Sequence, residues 1–135
     1  HQHQNVRTEQ GVQYGDLPEF VDFSYVARVA RVNAAGLASL ALAPAAPREV
    51  GIEVVALEND TTLRWTANAE PDLAGYRVVW RAPGEPVWRY WRDVGNVTRH
   101  TLKGISKDNF VFGVAAVDRD GNASPASFAR PWRPR

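Results

Sequence analysis

The sequence contains no cysteine and no methionine among its 135 residues, and only two of its 16 basic residues are lysine. Without cysteine the chain has neither a disulfide framework nor a thiolate metal site, which is compatible with the cytoplasm and with a bacterial periplasm. No stretch approaches the ~20 apolar residues of a membrane span. The net charge of +1 argues against a concentrated basic patch, so we expect neither nucleic acid nor a membrane as a partner.

The chain begins with His1 and not with methionine. Alanine is abundant and arginine is used in place of lysine almost throughout, which is typical of coding in a GC-rich bacterium. The length suits one domain preceded by part of another. We therefore expect a C-terminal fragment of a longer bacterial protein.

Two stretches at the centre of the sequence, 61–67 and 75–81, have apolar residues at alternate positions. Successive side chains leave a strand on opposite sides, so each stretch predicts a half-buried strand. Pro71 interrupts the loop between them, where it blocks ladder pairing. The alternating apolar residues are Leu63, Trp65, Tyr76, Val78 and Trp80. Further strands are predicted at 49–57, 87–94 and 98–102, from Phe110 onward, and at 126–130.

These residues carry a family resemblance, together with Phe112-Gly113-Val114-Ala115-Ala116-Val117-Asp118, Gly121 and Ser124. Residues 47–131 resemble a fibronectin type III domain. The resemblance implies a mainly β fold: a fibronectin type III (immunoglobulin-like) β-sandwich, here preceded by a loop and one α-helix. Many such domains carry a corner tyrosine before the sixth strand. Phe110 stands there in this chain, so Asp108 or Asn109 is expected to satisfy the corner.

A helix is predicted over 22–42, with Asp22 as its N-cap and Pro44 beyond its end. Apolar residues cover most of its circumference, and such a helix needs partners on more than one side. A small sandwich cannot readily supply them. We therefore expect residues 1–44 to be the C-terminal loop and helix of a truncated domain, and 45–135 to be the sandwich domain.

Residues 1–42 resemble the carboxyl end of bacterial co-catalytic di-zinc aminopeptidases. The resemblance lies in the opening HQHQNVRTE and in the long loop and helix that follow. In that family a histidine of this region is the last zinc ligand, which makes His1 or His3 the candidate here. The family's other ligands would precede His1, so zinc is expected in the full-length parent and not in this chain alone. The alternative is that both histidines belong to a flexible terminus.

Residues 87–92, VWRYWR, form the one stretch that suggests a binding surface. Trp88 and Tyr90 share one face of a predicted strand and Trp91 takes the other, so at least one tryptophan should be exposed. Aromatic residues beside Arg89 and Arg92 are typical of interface anchors, and they also suit a platform for sugar stacking. Alternatively, the rings close the edge of the sandwich and the arginine stems pack over them.

No other set of residues suggests catalysis. His100 lies on a predicted strand without a neighbouring acid and nucleophile, and Asp118-Arg119-Asp120-Gly121 favours a tight turn over a calcium loop. Three stretches match the N-glycosylation sequon, and in a bacterial protein they carry little weight. They are Asn59-Asp60-Thr61, Asn96-Val97-Thr98 and Asn122-Ala123-Ser124.

The resulting hypothesis is a C-terminal fragment of a secreted bacterial zinc aminopeptidase with a fibronectin type III accessory module. The module would serve docking or the binding of a substrate or surface, and the chain alone should be inactive. Its expected partners are the remainder of the peptidase catalytic domain, and a peptide or cell-surface glycan. The alternative is a non-enzymatic protein- or glycan-binding module. The expected location is secreted or periplasmic.

Overall fold

A computed structural model describes residues 3–56 and 58–133 of the chain. The chain divides into two compact units, His1–Ala38 and Ser39–Arg135. His1, which the sequence marks as a candidate zinc ligand, lies outside the described residues.

The first unit begins with a hairpin that the sequence analysis did not predict. Strands β1 (Arg7–Glu9) and β2 (Val12–Tyr14) pair antiparallel, with Arg7 opposite Tyr14. Gln10 and Gly11 both have positive φ, 49° and 79°, which is the geometry of a two-residue hairpin turn. Gln10 and Gly11 therefore form the turn that joins the two strands.

Helix α1 (Phe23–Leu42) occupies the predicted span, and Asp22 caps it as predicted. The backbone N–H of Tyr25 donates to Asp22 Oδ1 at 2.8 Å, which satisfies one of the free donors of the first turn. No residue of α1 is buried. The large apolar side chains that it exposes are Phe23, Tyr25, Val26, Val29, Val32, Leu37, Leu40 and Leu42. Among the described residues, no helix is long and apolar enough to cross a membrane.

The second unit is a sandwich of two four-stranded sheets. Its strands are β3 (Arg48–Glu53), β4 (Thr61–Thr66), β5 (Leu73–Arg81), β6 (Tyr90–Gly95), β7 (Arg99–Leu102), β8 (Val111–Asp118), β9 (Ser127–Phe128) and β10 (Arg130–Trp132). One sheet has the order β10-β3-β4-β7 and the other β6-β5-β8-β9. Only the β10–β3 pair is parallel among the described strand pairs. The mainly β sandwich predicted from the sequence is confirmed.

The core lies between the two sheets and consists of the predicted alternating residues. Trp65 from β4 meets Tyr76 from β5 edge-to-face, with ring centroids 5.3 Å apart and planes at 60°. Aromatic pairs prefer this arrangement because the positive ring edge meets the negative face. The other buried members are Val50, Leu63, Val78, Trp80, Leu102, Phe112, Val114 and Ala116.

Two polar contacts replace the absent corner tyrosine. The hydroxyl of Thr61 donates to the carbonyl of Ile105 at 2.6 Å. The ammonium of Lys107 donates to the carbonyls of Glu58 and Asp60, at 2.9 and 3.4 Å. We expected Asp108 or Asn109 to make the link across this corner. Lys107 makes it instead, because its long side chain reaches backbone carbonyls of the turn between β3 and β4.

Candidate functional site

The candidate surface is built on the aromatic–arginine segment, residues 87–92, which leads into β6. Strand β6 is an edge of its sheet, so one of its sides pairs with β5 and the other pairs with no described strand. Trp91 is 63% exposed and Tyr90 is 45% exposed, whereas Trp88 is half-buried. The segment therefore has one tryptophan packed into the fold and one tryptophan on the surface.

Tyr90 belongs to the inner side of this edge. It stands opposite Trp80 in the β5–β6 register, and their rings stack with centroids 5.7 Å apart. Phe110 meets Tyr90 edge-to-face at 6.2 Å. The ring of Tyr90 thus closes the margin of the core, as in the alternative that assigned these rings a packing role.

Trp91 belongs to the outer face of the same sheet. It stands opposite Val79, Val79 opposite Gly113, and Gly113 opposite Phe128, so these four residues form a row across four strands. Directly opposed residues of antiparallel strands share a face. Phe128 is 56% exposed, so both ends of the row present an aromatic ring to solvent.

Trp88 lies over the centre of that row. Its ring packs against Phe128 with centroids 5.0 Å apart, and a Cβ placed on Gly113 would approach it to 3.1 Å. Arg81 lies beside it, with Cζ 5.5 Å from the ring centroid. The guanidinium of Arg81 also donates to the carbonyls of Pro83 and Glu85, which holds it in place. The absence of a side chain on Gly113 leaves the space that Trp88 fills.

The prediction that Trp88 and Tyr90 share a face is therefore wrong. Strand β6 begins at Tyr90, so the alternation of a strand does not extend back to Trp88. Trp88 lies instead on the outer face with Trp91. We name the three rings on this face, Trp88, Trp91 and Phe128, the outer aromatic row.

Two arginines of β5, Arg77 and Arg81, share the outer face with the row, because they alternate with Val79 along the strand. Arg77 binds Asp93 through two hydrogen bonds of 2.6 and 3.1 Å. The hydrogen bonds from Arg77 hold the pKa of Asp93 below its ordinary value. Arg89 and Arg92 are exposed and have no ion-pair partner among residues 3–56 and 58–133. Arg92 stands opposite the buried Val78, so it lies on the other face of the edge strand and not beside the row. The surface therefore combines flat aromatic rings with positive charge.

His3 lies in the turn before the β1–β2 hairpin. Its backbone N–H donates to both carboxylate oxygens of Asp16, at 3.0 and 3.2 Å. Its side chain is exposed. Asp16 therefore anchors the backbone of this turn.

The described residues do not fit a zinc centre. In residues 3–56 and 58–133 no group of three or more histidine, cysteine, aspartate or glutamate side chains could hold a metal ion. A catalytic zinc needs about three protein ligands and a water molecule. No chemical step that uses zinc can be derived from the residues described here.

The remaining candidates have structural roles. Asp118 accepts the backbone N–H groups of Asp120 and Asn122 on Oδ1, at 3.0 and 2.8 Å, which confirms the predicted tight turn. His100 is half-buried on β7, where burial and, to a smaller extent, the charge of Arg92 lower its pKa.

Both units of the chain are similar to curated proteins of one kind. The chain is 48% identical over 131 residues to a probable zinc metalloprotease of Pyrenophora tritici-repentis, which covers 97% of this chain and 27% of that protein. It is 49% identical over 131 residues to a probable zinc metalloprotease of Leptosphaeria maculans, which covers 97% and 30%. The chain thus spans less than a third of the length of these curated relatives. No protein-family profile matches it.

A solved structure supports the fold. The FN1–FN3 domains of chicken CNTN1 superpose with a TM-score of 0.53 at 18% identity, over 64% of this chain and 32% of that chain. The sandwich is therefore a fibronectin type III fold. Both metalloprotease relatives are fungal, so the expectation of a bacterial source has no support from them.

Proposed function

We propose that the chain is part of a secreted zinc aminopeptidase, in which the fibronectin type III module of residues 45–135 is an accessory to the catalytic domain. The observation that carries this proposal is that 131 residues of the chain align with probable zinc metalloproteases. That match includes both the helix and the sandwich. The same two parts therefore occur together in proteins named for zinc-dependent proteolysis.

The exposed helix supports a catalytic-domain partner. Eight large apolar side chains of α1 are between 40% and 72% exposed. Burying one such side chain fully contributes about 1.5–3 kcal/mol. A helix of this kind gains most of its stability from tertiary packing, so it favours a large partner within the same polypeptide. The relatives are more than three times as long as this chain, and such a length can supply that partner.

The resemblance of residues 1–42 to co-catalytic di-zinc aminopeptidases supports the more specific proposal of an aminopeptidase. It implies an aminopeptidase with two zinc ions, of which His1 or His3 would hold one. The remaining ligands would come from the rest of the parent polypeptide. Within this proposal the chain alone hydrolyses no aminoacyl substrate, because it contributes one ligand of a larger set.

The test of helix packing uses the full-length parent protein with Leu37→Lys. Leu37 is 68% exposed here and is central to the apolar side of α1. If the catalytic domain covers this side, a buried lysine ammonium lowers the melting temperature and the hydrolysis of an aminoacyl substrate together. Arg28→Gln is the matched control and should change neither, because Arg28 lies nine residues before Leu37 and therefore on the opposite side of the helix. Equal behaviour of the two variants would contradict packing of α1 on the catalytic domain.

A second candidate function is binding of a peptide or cell-surface glycan by the outer aromatic row. The exposure of Trp91 and Phe128, together with Arg81 beside the ring of Trp88, favours it, since aromatic and arginine side chains anchor interfaces. Trp91→Ala should abolish retention of the chain on such a ligand, whereas Val55→Ala, at an exposed apolar position distant in sequence, should leave it unchanged. Equal retention of both variants would exclude the row as the binding surface.

A further inference from the structure

Three N-glycosylation sequons occur in the chain, and their side chains differ in exposure and in hydrogen bonding. Asn122 donates from Nδ2 to Asp118 Oδ2 at 2.8 Å, and the hydroxyl of Ser124, a residue only 6% exposed, accepts the N–H of Ala116 at 2.9 Å. Both functional groups of this sequon therefore hold the turn between β8 and β9. A bulky substituent on Asn122 would have to displace these contacts.

The sequon at Asn59 is also partly sequestered. Asn59 is exposed, but Thr61 is completely buried and its hydroxyl donates to Ile105. Asp60 between them accepts the backbone N–H of Gly104 at 2.8 Å. The sequon hydroxyl is thus part of the corner before β8, and the segment is fixed on both sides of the asparagine.

The sequon at Asn96 differs from both. Asn96 and Thr98 are exposed, and neither side chain makes a hydrogen bond to any described residue. They lie in the turn between β6 and β7, which Gly95 begins with a positive φ of 71° and in which Val97 N–H donates to the Gly95 carbonyl. The backbone supports this turn without help from either sequon side chain.

We infer that Asn96 is a site of N-linked glycosylation, an inference that rests on the secretion included in the proposed function. The similar proteins are fungal, and eukaryotic secretory pathways attach glycans to Asn-X-Ser/Thr on surface loops. The sequon is therefore stronger evidence for glycosylation here than it would be in a bacterial protein. The donor is an oligosaccharide linked through pyrophosphate to a membrane lipid. Asn96 Nδ2 forms a bond to C1 of the first sugar, the bond from C1 to the pyrophosphate oxygen breaks, and one amide proton is released.

The position can accept a glycan without any loss of packing. The turn connects β6 and β7, each of which is an edge strand of its sheet. A glycan on Asn96 extends into solvent beside these edges and displaces no contact of the core.

The experiment secretes the full chain from yeast under a supplied signal leader, so that its outcome does not depend on the parent's own location or activity. Intact mass is measured before and after endoglycosidase treatment. We expect a mass loss equal to one glycan in the unmodified chain and in N59Q and N122Q. We expect no mass loss in N96Q.

Thr98 provides the matched pair of variants. T98S keeps the sequon and should keep the glycan, whereas T98A leaves Asn96 in place and should lose it. Unfolding midpoints of deglycosylated chains verify that each variant is folded. A secreted unmodified chain without a mass loss, or a mass loss that persists in both N96Q and T98A, would overturn the assignment of Asn96. Neither result would bear on whether the parent is a zinc aminopeptidase.

Discussion

Replacing Trp65 by alanine should remove one of the two tryptophan rings of the sandwich core. Trp65 is 5% exposed and contacts the ring of Tyr76, which is 1% exposed. Deleting a buried tryptophan side chain costs about 3–5 kcal/mol through lost burial and the cavity that remains. A domain of this size has a total stability of about 5–15 kcal/mol, so the variant should be close to unfolding.

A second substitution at the same position sharpens this prediction. Trp65 Nε1 is buried and has no hydrogen-bond partner among the described residues. Trp65→Phe removes that unpaired donor together with part of the ring, so we expect it to cost only about 1–2 kcal/mol. The order of stability should be tryptophan, then phenylalanine, then alanine, with the larger gap before alanine.

Urea unfolding followed by circular dichroism measures these differences. With a slope of about 1.5 kcal/mol/M, the alanine substitution should lower the midpoint by about 2–3 M. Trp91→Ala is the control, because Trp91 is 63% exposed and its removal should change stability by less than about 0.5 kcal/mol. If Trp65→Ala and Trp91→Ala unfolded at the same midpoint, the assignment of Trp65 to the core would be wrong.

Three further predictions concern other parts of the chain. Burial and the charge of Arg92 lower the pKa of His100, so its pKa in the folded chain lies below that in the unfolded chain. The free energy of unfolding should therefore fall as the pH drops from about 7.5 to about 5, because the unfolded chain binds the proton more readily. The urea midpoint of His100→Gln should fall less over the same range. Asp22→Ala should cost about 0.5–2 kcal/mol of helix stability and reduce helical circular dichroism, and unchanged helicity would contradict the capping role. Ala45 donates to Glu70 Oε1 at 2.7 Å and accepts from Asn68 Nδ2 at 2.8 Å, so a chain of residues 47–135 should fold but be about 1 kcal/mol less stable than residues 45–135 in urea. Failure of both truncated chains to fold would show that residues before 45 belong to the same folding unit.

The fold could be predicted where a local pattern coincides with burial. Leu63 and Trp65 alternate with polar residues, and Asp22 precedes a helical run, so both β4 and α1 follow from the sequence. The hairpin of β1 and β2 was missed because its strands have only three residues each and are too short to show alternation. Gln10-Gly11 was the one available signal for its turn.

The candidate surface was only partly predictable. Alternation correctly predicted one exposed tryptophan, Trp91, because that residue lies within β6. It could not place Trp88, whose position depends on the space over Gly113 in a strand distant in sequence. Phe128 was missed for the same reason, since the β8–β9 pairing brings it to this face. Contacts between distant strands leave no local periodicity to detect.

Hydrolysis by the full-length parent tests most directly the proposal that this chain is part of a zinc aminopeptidase. One peptide is supplied in two forms, with a free and with an acetylated α-amino group, and the release of its first residue is measured. We expect release from the free form alone, loss of release after zinc is removed by a chelator, and recovery when zinc is restored. Cleavage of both forms at internal bonds would show a zinc endopeptidase, and release that persists after zinc removal would contradict the account.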